Sequence, residues 1–66
     1  MRIVINGETR EFDGPMAIKE LLDRLELPSQ KLAVEQNLEI VPKSQYDSAT
    51  VNDGDRIEIV QFVGGG

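Results

Sequence analysis

The residues with the most distinctive chemistry stand last: Phe62-Val63-Gly64-Gly65-Gly66. Three successive glycines are a backbone without side chains. Lacking a Cβ, they can lie flat in a slot too narrow for any other residue. Fully extended, they reach roughly 10 Å past Val63, at about 3.3–3.6 Å per residue. The group at the tip is a carboxylate, with an ordinary pKa of about 3.3–3.7. At neutral pH it is an anion and a poor electrophile. It accepts a nucleophile only after activation, typically as an acyl-adenylate made with ATP. The chain has no GxxxxGK[ST] phosphate loop, and Gly7, Gly14 and Gly54 fall in turn sequences. An ATP site would therefore belong to a partner enzyme, and Gly66 would be the group acted upon. On the glycines alone, an inert terminus is an equally good reading.

Residue types narrow the chemistry further. The chain has no Cys and no His, which excludes zinc sites built on them, His-based triads, thiol nucleophiles and disulfides. Its net charge of −5 argues against nucleic acid as a partner. That charge suits docking on a basic protein surface, although solubility alone gives the same balance. The single Tyr46 reads as packing, lying over one end of the core with its hydroxyl near water. No cofactor is expected to bind the chain itself.

Sixty-six residues are expected to form one domain with a thin core. Hydrophobic content of 39% and charged content of 29% fit a folded domain. No apolar run approaches the roughly 20 residues that span a bilayer, so no membrane partner is expected. The first residues show no secretory pattern, and the cytoplasm is the expected compartment.

The elements that must hold the tail follow from periodicity. Met1, Ile3 and Ile5 alternate on one face of a first strand, and Asn6-Gly7 is a strong hairpin turn. Glu8–Phe12 returns as a charged edge strand, with Phe12 as its core residue. Asp13-Gly14-Pro15 breaks the sheet, with Asp13 a possible helix cap. Residues 17–25 predict a helix whose Ile18, Leu21, Leu22 and Leu25 form one stripe. Pro28 prevents its continuation. Residues 31–36 predict a third strand, Asn37-Leu38 a turn, and Glu39–Val41 a short strand ended by Pro42. Residues 44–47 predict one helical turn. Asn52-Asp53-Gly54-Asp55 is a turn that delivers the last strand, Arg56 to Val63. The order β-β-α-β-(β)-β predicts an α+β fold, one twisted sheet with a single helix on one face.

In the last strand, Ile57 and Ile59 share one face, and Glu58, Val60 and Phe62 the other. One helix covers one face only. Glu58 marks the wet side, which leaves Val60 and Phe62 exposed beside the tail. Scattered surface apolars are common. Next to a glycine tail, however, they read as a small docking patch, with Val63 at its end. Val4 also faces out and joins the patch if the first and last strands are neighbours.

Three stretches, Ile40-Val41-Pro42-Lys43-Ser44-Gln45-Tyr46, Val51 through Val60, and Gln61-Phe62-Val63-Gly64-Gly65-Gly66, together resemble the sulfur carrier proteins of thiamine biosynthesis. The resemblance covers essentially the whole chain. It implies a ubiquitin-like β-grasp, a mixed sheet of four to five strands with one main helix, as a single domain over 1–63 and a glycine tail over 64–66. It implies that Gly66 is adenylated by an E1-like adenylyltransferase using ATP and becomes a thiocarboxylate, with sulfur from a persulfide enzyme. It implies delivery of that sulfur to thiazole synthase, with Gly64 and Gly65 as the threading segment and no catalytic residue in the chain. Many relatives carry a varied residue where Gly64 stands, a mild departure. The rival readings are the small subunit of molybdopterin synthase, a protein modifier that forms isopeptide bonds, and a non-covalent β-grasp module with an inert tail.

Overall fold

The computed structural model describes residues 1–61. A five-stranded sheet, in the order Glu8–Glu11, Arg2–Ile5, Arg56–Gln61, Leu32–Gln36 and Glu39–Val41, carries one helix on one face. Strands β1 (Arg2–Ile5) and β2 (Glu8–Glu11) form an antiparallel hairpin around Asn6 and Gly7, at φ 49° and 84°. Positive φ at both positions is what a twist-matched two-residue turn requires, and Asn-Gly supplies it. Every residue of β2 is exposed, as its charged edge position predicts. Phe12 closes the ladder beyond it: its N–H donates to the Met1 carbonyl at 2.9 Å, and the Met1 amino group donates back to the Phe12 carbonyl at 2.8 Å.

Helix α1 (Ile18–Arg24) buries Ile18, Leu21 and Leu22 completely, and Leu25 packs half-buried just beyond it. Its other side carries the exposed i,i+4 pairs Glu20–Arg24 at 3.0 Å and Lys19–Asp23 at 3.7 Å, each worth about 0.3–0.5 kcal/mol. The helix starts without the Asp13 cap anticipated from sequence. Its N-cap is Ala17, which has no capping side chain. Two strands of two residues, β3 (Met16–Ala17) and β6 (Thr50–Val51), pair there as a separate ribbon. That ribbon brings the Ala49 and Tyr46 carbonyls onto the N–H groups of Ile18 and Lys19, both at 2.9 Å. Distant backbone thus satisfies donors that a side-chain cap would otherwise take. The helix ends on Glu26 at φ 58°. The Leu27 N–H returns to Leu22 and the Glu26 N–H to Asp23, both at 3.0 Å, a Schellman closure without the usual glycine.

A 3₁₀ turn (Ser29–Lys31) leads into β4 (Leu32–Gln36), which pairs with β5 (Glu39–Val41) around Asn37 and Leu38. A second 3₁₀ turn (Lys43–Gln45) precedes Tyr46, one residue earlier than the sequence suggests. Tyr46 is 5% exposed, and its hydroxyl donates to the Leu32 carbonyl at 3.3 Å rather than facing water. Burial raises its pKa, against the opposing effect of the Val34 amide. Strand β7 (Arg56–Gln61) then runs up the middle, parallel to β1 and antiparallel to β4. The core lies between sheet and helix, from Ile3 and Ile5 through Leu32 and Val34 to Val51 and Ile57.

One position is out of keeping with its backbone. Leu38 sits at φ 71° and is 71% exposed, in a turn whose second residue is normally glycine. A branched residue there costs about 1–2 kcal/mol, against about 0.5–1 kcal/mol of extra backbone entropy for glycine. Leu38→Gly is therefore expected to stabilise the domain by about 0.5–1 kcal/mol, read as a higher urea midpoint with unchanged slope.

Candidate functional site

The strand that leads to the glycines is held from both sides. Toward β4 its pairing is continuous, from Gln36 opposite Ile57 to Leu32 opposite Gln61. Toward β1 it is short: Val4 is level with Arg56, and Ile5 with Ile57. There β1 turns away, and Asn6 substitutes for its next rung. The Ile59 N–H donates to Asn6 Oδ1 at 2.8 Å, and Asn6 Nδ2 donates to the Ile59 carbonyl at 3.2 Å. Asn37 does the corresponding work at the start of β7. Its Oδ1 accepts the Arg56 N–H at 2.9 Å, and its own N–H donates to the Arg56 carbonyl at 2.8 Å. Each asparagine occupies the positive-φ corner of a hairpin. Asn tolerates that backbone and carries an amide that imitates a peptide group.

Asp55, immediately before β7, gathers the chain around this corner. Its carboxylate accepts from Gln36 Nε2 at 2.8 Å, from the Asn52 N–H at 2.9 Å and from Asn37 Nδ2 at 3.1 Å. Burial acts to raise its pKa. The hydrogen bonds from Asn52, Asn37 and Gln36 outweigh it and hold the carboxyl below its ordinary value. Gln36 Nε2 also reaches the Thr50 carbonyl at 2.9 Å, tying β4 to β6.

Val60 lies on the face away from the helix, 58% exposed, as its alternation with Ile59 predicts. Ile57 is fully buried and Ile59 packs half-buried against the core. Strands β1 and β7 are neighbours, but Val4 does not join Val60. The register sets Val4 beside Arg56, four residues from Val60, or about 13 Å along the strand. The neighbour of Val60 is Ala33 on β4. Diagonally beyond lies Ile40, 74% exposed and opposite Glu35. Ile40 was missed in the sequence, although its alternation with buried Val41 signals it. The apolar face therefore extends from Val60 toward β5, interrupted by Glu35 and Glu58. These two carboxylates face each other across β4 and β7, and Arg56 approaches Glu58 at 3.7 Å.

The remaining anticipated site residues, Phe62, Val63, Gly64, Gly65 and Gly66, lie outside the described residues. Among the described residues, no group of three or more acidic side chains is placed to hold a metal ion. No helix among them is long and apolar enough to cross a membrane.

The ThiS family model matches residues 3–66 of the chain. The chain belongs to the ThiS family. It is 32% identical to the sulfur carrier protein ThiS of Escherichia coli over 66 residues, covering the whole of both chains. The crystal structure of a thiamine biosynthesis protein, ThiS, from Geobacter metallireducens superposes with a TM-score of 0.88 at 35% identity, again over all of both chains. This ThiS architecture is the β-grasp that the sequence resemblance implies, with five strands in its sheet. A thiazole synthase of Paramagnetospirillum magneticum is 58% identical over all 66 residues, and the chain spans 20% of that protein's length.

Proposed function

We propose that this ThiS-family chain is a sulfur carrier for thiazole formation in thiamine biosynthesis, with the Gly66 carboxylate as the carrying group. An E1-like adenylyltransferase joins that carboxylate to AMP from ATP, releasing pyrophosphate. The terminal sulfur of an enzyme persulfide then displaces AMP. A thiol cleaves the resulting S–S bond, leaving a thiocarboxylate on Gly66 and a disulfide on the donor side. The chain is a protein co-substrate throughout and supplies no catalytic side chain to these steps. Gly64 and Gly65 are the segment that threads the partner's active-site channel. Val60, Phe62 and Val63 form the docking face, extended by Ala33 and Ile40.

The observation that carries this reading is the end-to-end match to the E. coli sulfur carrier, which extends through the positions of Gly64, Gly65 and Gly66. Strand β7 supports it: among the described residues it is paired with β4 along Ile57 to Gln61, held by β1 and Asn6 on its other side, and it leads in sequence to the glycines. The thiazole synthase of P. magneticum, one fifth of which is similar to this chain, supports thiazole synthase as the acceptor of the sulfur.

The deciding experiment is an intact-mass measurement after incubation with the cognate adenylyltransferase, ATP and a persulfide donor. The expected result is the gain from replacing one oxygen by sulfur, mapped to Gly66. An unchanged mass beside an enzyme active on another carrier rejects the carrier reading and leaves the non-covalent module. In the same assay Val60→Asp, placed on an already exposed face, is expected to raise KM about tenfold without changing the urea midpoint.

A further inference from the structure

We propose that Asn6 is a positioning residue that sets the direction in which β7 delivers the tail. The proposal rests on the carrier reading above. In the parallel ladder, the Val4 N–H donates to the Asp55 carbonyl and the Asn6 N–H to the Ile57 carbonyl, both at 3.0 Å. The next donor in that series would be the N–H of residue 8, reaching the Ile59 carbonyl. The chain has already turned, and Glu8 is paired with Ile5 on β2 instead. The Asn6 amide fills the missing rung in both directions, accepting from the Ile59 N–H and donating to its carbonyl. It is the last lateral hold on β7 from this side among the described residues.

A groove of ≈ 340 Å³ lies against Asn6, Ile59 and Gln61 and is also lined by Leu25 and Leu27. Without the Asn6 amide, the end of β7 is held from the β4 side alone and can tilt into this space. A tilt at Ile59 changes the direction in which the chain leaves Gln61, with four residues between it and Gly66. The outer face around Ala33 and Ile40 would still dock, but fewer docked complexes would have the tail aligned with the adenylation site.

The fold supplies its own control. Asn37 has nearly the same backbone angle, φ 53° against 49°, and a comparable pair of side-chain bonds, but at the opposite end of β7. A purely structural role predicts that alanine at either position affects loading alike. A positioning role predicts a split.

The test measures adenylation of the full chain by the cognate adenylyltransferase, through ATP–pyrophosphate exchange. Asn6→Ala is expected to lower kcat about tenfold with KM within about twofold of wild type. Asn37→Ala is expected to leave both near wild type. Amide exchange at Ile59 should accelerate in Asn6→Ala alone. Should Asn6→Ala not fold, Asn6→Asp carries the test. It keeps the acceptor for the Ile59 N–H and loses the donor, and kcat is expected to fall about threefold with KM unchanged. Wild-type kcat in a folded Asn6 variant, or an equal loss in both asparagine variants, overturns the proposal. Absence of exchange with the wild-type chain refutes the carrier reading instead, so the two failures are distinct.

Discussion

Asp55→Ala should destabilise the domain by about 2–3 kcal/mol at neutral pH, and that loss should shrink in acid. Three donors converge on this carboxylate, from Gln36, Asn52 and Asn37. Hydrogen bonds to a charged acceptor contribute about 1.5–3 kcal/mol each in sheltered settings. Asp55 is half-buried and the Asn37 and Asn52 bonds are exposed, so their sum is discounted to the figure above. Alanine also strands the Asn52 N–H at the turn that launches β7. The sign with pH follows from the lowered carboxyl pKa in the fold. The unfolded chain takes up the proton first, near pH 3.9, the ordinary aspartate value of about 3.9. The stabilisation is complete above about pH 5 and fades as pH falls through the folded pKa. Urea melts of both proteins at pH 7 and at pH 2 check this. The gap between them should narrow at the lower pH. An identical gap at both would assign the loss to packing and not to the carboxylate.

Gly65→Val should reduce sulfur loading of Gly66 at least about a hundredfold while leaving the urea midpoint unchanged. The proposed chemistry needs a bare backbone to pass a channel in the activating enzyme. A β-branched residue adds two methyl groups where the wild-type chain has none and narrows the accessible backbone angles. Among the described residues the buried core runs from Ile3 to Ile57. The effect should fall on kcat/KM for adenylation, measured by pyrophosphate exchange, and the loaded product should disappear from the intact-mass spectrum. Loading at the wild-type rate would mean that the channel does not read the tail by width.

Most elements were legible because each rests on a local pattern. The alternation of Ile3 and Ile5, the Ile18-Leu21-Leu22-Leu25 stripe and the Asn6-Gly7 turn each specify an element within a few residues. The solvent-facing side of Val60 followed from the same alternation. What escaped was register and everything that depends on it. No local pattern says that Val4 sits beside Arg56 rather than Val60, or that Ile40 completes the apolar face. Strands of two residues such as β3 and β6 are too short for any periodicity, and Met16-Ala17 merged into the helix start. The helix takes its first acceptors from Ala49 and Tyr46, over 25 positions away in sequence, which no local pattern around Asp13 reveals. The two asparagines were readable as turn residues. Their second role, gripping β7, exists only once the strands are assembled.

The central place of β7 has a mechanical consequence. A partner that draws the tail into a channel pulls along the axis of this strand. The bonds to β4 and β1 lie across that axis, so the load falls on many of them together in shear. A tail leaving an edge strand such as β2 or β5 would let the same pull break bonds one after another, as in opening a zipper. With β7 in the middle of the sheet, a pull on its end is borne by neighbours on both flanks at once.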